Sequence, residues 1–444
     1  AFVEIQKFFK ALKNRGYFLS IVSKNYIDVV LEALDSHPDM VLTREDFQVI
    51  YCGWSHKSYR IKNIAKALNI GEDETLQSNA EEIKKASGLR FSTDLNAIKN
   101  CTIFIVTVPT PVDENKTPNL QPLLNASKMI GSILKKGDLV IYESTVYPGC
   151  TEEDCVPVLE KESGLSFNKD FFVGYSPERI SPGDKKRTVE SILKVTSGST
   201  PETAIKVDEL YKSVLKNGTH LAPSIKVAEA AKIIENCQRD INIAFVNELA
   251  KIFSLMKINT NDVLEAAATK WNFLPFKPGL VGGHCIGVDP FYLAQKAQQF
   301  GYYPEIILSG RRVNDSMGTH VASEVIKLMI DKELKVKGAK VLILGFTFKE
   351  NCPDIRNTKV IDMVMALQSF GVKTAVYDPW AKRKEVKQEY GLELTKELYT
   401  YKYDAIVLAV SHNEFKTIDL ERLKKKKAVV YDIKDFLDEK DKSL

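Results

Sequence analysis

Two doubly wound α/β domains joined by a long central helix are the architecture this chain predicts, and three observations carry the prediction. Buried-strand patterns alternate with helical patterns in two separate stretches of sequence. Between them, the run from Ser224 to about Met256 keeps helical apolar spacing with no glycine or proline. The chain has 444 residues, more than one ordinary core serves, since domains usually hold roughly 100 to 200.

The elements follow in order. From Ile5 the pattern reads helix (IQKFFKALKNRG), buried strand (YFLSIVS), helix (NYIDVVLEAL) and a short apolar strand around Met40 to Leu42. A further helix over Tyr59 to Leu68 ends at Gly71, and the polar stretch EDETLQSNAEE makes a junction. CTIFIVTVPTP and DLVIYESTV are then apolar runs bounded by turn residues and separated by a helical pattern from Leu123 to Leu134, which describes a βαβ unit with parallel strands. The run from Ser224 predicts one helix of about 30 residues and some 45 Å, bridging two domains. The last third restarts the alternation with KVLILGF, a helix from Val360 to Phe370, KTAVYDP, DAIVLAVSH and AVVYDI. Its final two strands echo CTIFIVTVPT and LVIYESTV in order, so two similar sheets should flank the long helix.

Composition narrows the function classes. With 44% hydrophobic and 27% charged residues, and no apolar run near the roughly 18 residues of a membrane span, a soluble protein is expected, without membrane partner. Basic and acidic residues nearly balance, 62 against 58, which argues against nucleic acid. The run Lys424 to Lys427 directly precedes AVVYDI and reads as a solvated turn. Seven cysteines at irregular spacings suit a reduced setting. Cys150 and Cys155 have no second Cys or His pair nearby, so no metal is expected. The chain starts at Ala1 with no basic, apolar leader; it could be a fragment, and a cytoplasmic location is expected.

One segment carries chemistry. GLVGGHCIGVDP places Cys285 after Gly279, Gly282 and Gly283, where missing side chains let backbone approach a bulky ligand. A single cysteine is more often a small buried hydrophobe. The long helix, however, presents Lys232 and Asn236 four residues apart on one face, a cation and an amide pointing the same way. A thiolate needs a nearby cation to lower its pKa, and an oxyanion needs donors in place, so Lys232 could serve both. A salt-bridged surface lysine is the bland alternative. His284 adjoins the cysteine, but neighbours in sequence rarely face each other, and it is left as a structural neighbour.

GGHCIGVDP, AEAAKIIEN, VTVPTP, ESTVYPG, YSPERISPG and GFTFKENCPDIRNT occur in the order and approximate spacing of the nucleotide-sugar 6-dehydrogenase family, which the chain resembles from about Asp73 onward. TKWNFLPFKPGLVGGHC looks most like members acting on UDP-N-acetylglucosamine or UDP-N-acetylgalactosamine. The resemblance implies two successive oxidations at C6 by NAD, with Cys285 trapping the aldehyde as a thiohemiacetal that becomes a thioester. It gives Lys232 and Asn236 the developing alkoxide, Asp289, Thr145 and an ordered water the protons, and Glu178 a part in thioester hydrolysis. It places the substrate along Leu274, Pro275, Phe276, Lys277, Pro278 and Gly282, with Lys349 reaching its sugar or phosphates. Thr107, Pro109, Thr145 and Arg356 would meet the cofactor. It implies Rossmann-like domains over 73–221 and 326–444, a central helical domain over 222–325, and a homodimer or larger homo-oligomer.

A dinucleotide-binding fold should open with a strand, a glycine-rich turn and a helix N-terminus for the diphosphate. None of the 23 glycines lies two positions from another, so the turn is absent. In its place, LSIVSKN, HPDMVLTREDF and WSHKSYRIKNIAKALNIG resemble haloacid-dehalogenase-like proteins, implying a foreign α/β segment over residues 1–72 with Ser23 as phosphate-binding serine and Lys57 as the cation that steadies an aspartyl-phosphate. That family's nucleophilic and metal-binding carboxylates are missing, so phosphatase activity is not expected. Besides the dehydrogenase, two readings stay open: a UDP-sugar-binding remnant without turnover, and a scaffold or dimer partner.

Overall fold

The computed structural model describes residues 92–444, apart from 114–115, 181–190 and 284, together with the backbone of two short strands. These are β1 (Ser20–Ser23) and β2 (Val49–Cys52), paired in parallel with Ser20 opposite Val49. β1 realises the end of YFLSIVS. β2 was not expected, since four apolar-rich residues are too few for periodicity to show. The helices expected over 5–16, 25–34 and 59–68, the strand at Met40, and Lys57 lie outside the described residues.

The first large sheet holds β3 (Ile103–Val106), β4 (Leu139–Tyr142), β5 (Phe172–Tyr175), β6 (Lys194–Gly198) and β7 (Thr219–Leu221), in that spatial order. β3, β4 and β5 run parallel, as the βαβ reading required. β6 runs antiparallel to β5, with Gly174 opposite Gly198, so the sheet is mixed rather than purely parallel. Helices α1 (Gln121–Gly131) and α2 (Val156–Ser163) cover one face, where Leu123, Ile130 and Leu159 meet Val140, Tyr142 and Val173. Helix α3 (Pro201–Lys212) covers the other through Val207 and Tyr211 against Leu139 and Ile141. Both faces of β4 are therefore buried, which is why LVIY is a continuous apolar run. Among the described residues β3 is the edge strand of this sheet, and Ile105 on it is 47% exposed.

Helix α4 (Ile225–Met256) spans 32 residues, close to the expected length. The Ser224 hydroxyl caps it by accepting from the Val227 N–H, and Lys257 in the left-handed region ends it. One of its faces is polar yet buried: Glu229, Lys232, Asn236, Asp240 and Asn247 recur at helical spacing and are all nearly inaccessible. Burial costs such groups unless they are paired: Glu229 holds the Gly149–Thr151 loop, Asn236 meets Asp289 of the helix after Cys285, and Asp240 and Asn247 share Asn314 farther on. Helices α5 (Thr260–Ala268), α6 (Asp289–Gln299), α7 (Glu305–Asp315) and α8 (Met317–Asp331) complete the middle of the chain. Arg311 on α7 pairs with Asp240 at 2.6 Å, and Asn314 donates to Asp240 at 2.7 Å.

The second sheet is all parallel. In chain order its region runs β8 (Lys340–Leu344), α9 (Val360–Ser369), β9 (Lys373–Tyr377), α10 (Arg383–Tyr390), β10 (Tyr403–Leu408), α11 (Leu420–Leu423), β11 (Lys424–Asp432) and β12 (Lys442–Ser443), with spatial order β12-β11-β10-β8-β9. Helices α8 and α9 pack on one face through Val325, Met329, Met363 and Leu367; Phe415 and Leu423 close the other. The fold is thus the expected pair of doubly wound units around a long helix. One detail is corrected: Lys424 to Lys427 is no turn but the first half of β11, with Lys424 opposite Tyr403. Its charges pair with Glu421, Glu439, Asp404 and Glu333, so an extended lysine run is tolerated at the sheet's rim. Among the described residues no helix is long and apolar enough to cross a membrane.

Candidate active site

Cys285 sits half-buried on the loop leading into α6. Its carbonyl accepts the N–H groups of Val288 at 3.0 Å and Asp289 at 2.8 Å, a tight turn that makes Asp289 the first residue of the helix. Asn236 of α4 donates its amide to Asp289 Oδ2 at 2.5 Å. Lys232, one turn earlier, is buried; it is not the surface lysine of the bland alternative.

The electrostatics show four predicted residues acting on one thiol. Burial pushes Cys285 up to about 11, and the Asp289 charge adds to that, with Glu178 acting the same way; Lys232 and Arg356 pull it down. The expectation that Lys232 would give a lowered thiol pKa is therefore corrected: desolvation and the neighbouring carboxylate outweigh the cation. Asp289 is itself raised to about 6 by burial, against the opposing pull of Lys232 and the Asn236 hydrogen bond. At neutral pH the Cys285 thiol is therefore neutral and the Asp289 carboxylate ionised.

Three other segments are held around this centre. At the ends of β3 and β4, the Ser144 hydroxyl donates to Val108 O at 2.7 Å and the Thr110 hydroxyl to Thr145 O at 2.7 Å, which ties the two strand ends together. Thr107 and Pro109 are exposed there and Thr145 is half-buried. Buried Glu229 accepts the N–H groups of Gly149 at 2.6 Å and Thr151 at 2.9 Å and so fastens this loop to α4. Glu178 lies just beyond β5, exposed, with its carboxylate accepting from the Ile180 N–H.

The stretch before the cysteine runs along the surface. Leu274, Pro275 and Lys277 are exposed, Phe276 is half-buried and Pro278 buried. Asn247 of α4 grips the next residue from both sides, its amide donating to Gly279 O at 3.0 Å and accepting from Gly279 N–H at 2.8 Å. Gly282 and Gly283 press against the second α/β unit. A β-carbon on Gly282 would stand 2.9 Å from Asn357 O and 2.9 Å from Phe348 Cβ, and one on Gly283, whose φ is +85°, 3.0 Å from the Phe348 ring. Gly283 N–H donates to Arg356 O at 3.0 Å and its carbonyl accepts from Asn357 at 3.1 Å. The glycines thus serve close approach to protein backbone, and Phe348 brings the half-buried Lys349 with it. Arg356 is exposed and forks onto Asp354, with Nε at 2.9 Å.

Sequence reasoning missed Lys434. It lines a small cleft with Gly282, Thr347, Phe348 and Glu350, and burial holds its ammonium below the usual lysine range. In YDIKDF it looks like any loop charge; only the folding of β11 beside Gly279 brings it to the cysteine loop. Glu229 and Asn247 were missed as well, although an acid and an amide on a predicted buried face were the available signal. His284 lies outside the described residues.

Comparison with known proteins places this geometry. Residues 38–215 match the NAD binding domain of the UDP-glucose/GDP-mannose dehydrogenase family, 226–316 its central domain and 342–439 its UDP binding domain. A UDP-N-acetyl-D-glucosamine 6-dehydrogenase of Pseudomonas aeruginosa is 59% identical over 85% of this chain and 90% of its own length. One of Salmonella typhi is 55% identical over 83% of this chain and 87% of its own. Among solved structures, the UDP-D-ManNAc dehydrogenase of Pyrococcus horikoshii superposes with a TM-score of 0.77 at 25% identity, covering 95% of this chain and 96% of that one. The NAD-domain match starts at residue 38, upstream of the junction expected near Asp73, so the reading of residues 1–72 as a haloacid-dehalogenase-like remnant is not supported. The chain belongs to the UDP-glucose/GDP-mannose dehydrogenase family.

Proposed function

We propose that the chain oxidises C6 of a UDP-N-acetylhexosamine, UDP-N-acetylglucosamine foremost, to the uronic acid in two NAD-dependent steps that serve polysaccharide precursor synthesis. The observation that carries this reading is the convergence of Lys232, Asp289, Glu178 and Arg356 on the Cys285 thiol, with Asn236 hydrogen-bonded to Asp289. Two relatives, 59% and 55% identical to this chain, bear names specifying UDP-N-acetyl-D-glucosamine.

In this reading Leu274, Pro275, Phe276, Lys277, Pro278 and Gly282 carry the substrate, and Lys349 reaches its sugar or phosphates. Lys232 and Asn236 stabilise the alkoxide at C6. Cys285 Sγ then adds to the C6 aldehyde: a carbon–sulfur bond forms, the carbonyl π bond breaks to leave its electron pair on the oxygen, and the thiol proton passes to Asp289, which is ionised at neutral pH. Thr145 and a water relay protons. After the second oxidation Glu178 assists water in cleaving the thioester, which returns the thiol and releases the carboxylate.

The carboxyl ends of parallel β3 and β4, where exposed Thr107 and Pro109 stand near half-buried Thr145, are the place where a nicotinamide can lie in such a sheet. Thr107, Pro109, Thr145 and Arg356 would hold it there. NAD supplies the hydride acceptor for each oxidation. Domain limits at 73–221, 222–325 and 326–444, a cytoplasmic setting and a homodimer belong to the same reading. The dimer draws support from exposed Phe245, Ile252, Leu255 and Met256 along α4.

NADH formation from UDP-N-acetylglucosamine, measured with a Cys285→Ala control, tests the proposal. Turnover lost in that control is the expected result, and turnover persisting in it would overturn the role of the thiol. The lack of any GxG pair among the glycines favours one second reading, binding of UDP-sugar without turnover. Calorimetry with and without NAD separates the two.

A further inference from the structure

The Lys349 loop hangs on a buried histidine. His412 follows β10 and is fully inaccessible. Its Nδ1 accepts the Asn351 N–H at 2.9 Å, so that nitrogen carries a lone pair and the proton stands on Nε2. Nε2 lies 3.1 Å from Asp378 Oδ2 and 3.1 Å from the Thr347 hydroxyl. The hydroxyl donates onward to the carbonyl of Lys349 at 2.9 Å.

Asp378 orients the ring from the end of β9. Its Oδ2 also accepts the N–H groups of Phe346 at 2.5 Å and Thr347 at 3.0 Å, while Oδ1 accepts those of Trp380 and Ala381, both at 2.7 Å. With all those donors it stays an acceptor, which selects the Nε2–H tautomer. Trp380 stacks on the imidazole and Phe415 meets it edge-on. Asn351, in the left-handed region at φ 53°, accepts the Asn413 N–H through its side chain at 2.9 Å.

We infer that His412, oriented by Asp378, is a positioning residue for UDP-sugar binding: it presets the 347–351 loop so that Lys349 faces the ligand and Phe348 seats the Gly282–Gly283 turn. This rests on the proposed function of the site. The residues on both sides of Lys349 are pinned, Thr347 through Asp378 and Asn351 through His412. Ordering of that loop therefore precedes binding instead of being charged against affinity. His412 touches neither substrate nor cofactor in this role.

Calorimetric titration of the full chain with UDP-N-acetylglucosamine, and separately with NAD, tests the assignment in two variants whose folding is checked by near-UV circular dichroism. His412→Leu removes both ring nitrogens and should weaken UDP-sugar binding at least tenfold while leaving NAD binding within about twofold. His412→Asn places Oδ1 where Nδ1 stands, keeps an acceptor for the Asn351 N–H, and should restore binding to within about threefold. Hydrogen exchange should run the same way, fast at the Asn351 amide in His412→Leu and slow in His412→Asn. Equal UDP-sugar affinity in wild type and His412→Leu overturns the assignment, as does a loss shared equally by NAD or left unrescued by Asn. A wild-type chain that binds no UDP-sugar overturns the proposed function, and this role with it.

Discussion

Removing either charged neighbour of Cys285 should move its reactivity in opposite directions. The thiol is held at about 11, so at pH 8 roughly one molecule in a thousand is thiolate, by the tenfold-per-unit rule. Asp289 raises that value and Lys232 lowers it. A charge within a few ångströms of a titrating group shifts it by about one to three units. Taking one unit, Asp289→Asn should bring the thiolate to about one in a hundred at pH 8 and speed alkylation about tenfold. Lys232→Met should slow it by about the same factor. Both substitutions should abolish turnover, so reactivity and catalysis would part company in Asp289→Asn alone. The assay is the iodoacetamide labelling rate of the peptide carrying Cys285, followed by mass spectrometry from pH 7 to 10, with exposed Cys101 as an internal reference. A wild-type titration midpoint near 9, or equal labelling rates in all three proteins, would refute the account of this site as a burial-dominated thiol flanked by opposing charges.

Stability should also report on Glu229, which burial raises to about 7. Below the ordinary glutamate value both folded and unfolded chains hold this proton; between about 4.5 and 7 only the folded chain does, so its contribution is full at low pH and is lost as pH rises through that window. The shift corresponds to about 3 kcal/mol, and urea unfolding of wild type against Glu229→Gln at pH 5 and pH 8 should show the difference between them changing by that order; parallel pH dependence in the two would refute it. Gly282→Ala drives a methyl group to 2.9 Å from the Asn357 carbonyl, and backbone there cannot yield cheaply. The cysteine loop should part from the second α/β unit, with UDP-sugar affinity at least about tenfold weaker by calorimetry; unchanged affinity would show that the contact is not needed for binding.

Local patterns were enough for the framework because they are imposed by burial along the chain. LVIY at β4 and KVLIL at β8 are continuous apolar runs since both sheet faces are covered, and α4 could be read end to end because no glycine or proline interrupts it. Cys285, Lys232 and Asn236 were legible as chemistry, and Asp289, Glu178 and Arg356 through family motifs. The reversal of β6 was not legible, because strand direction depends on which edge the chain returns to. Nor was the strand character of Lys424 to Lys427, whose polarity suits a turn until neighbouring carboxylates appear. The partners of Glu229, Asn247, Lys434 and His412 lie far off in sequence, and a single chain carries no sign of such contacts. The sequence by itself determined the alternating elements and the central helix and singled out Cys285 as the candidate nucleophile, since each is written in residues close together. Tertiary structure alone decided the pKa of that cysteine and the seating of the Lys349 loop, since desolvation and hydrogen bonding depend on which distant groups the fold brings within a few ångströms.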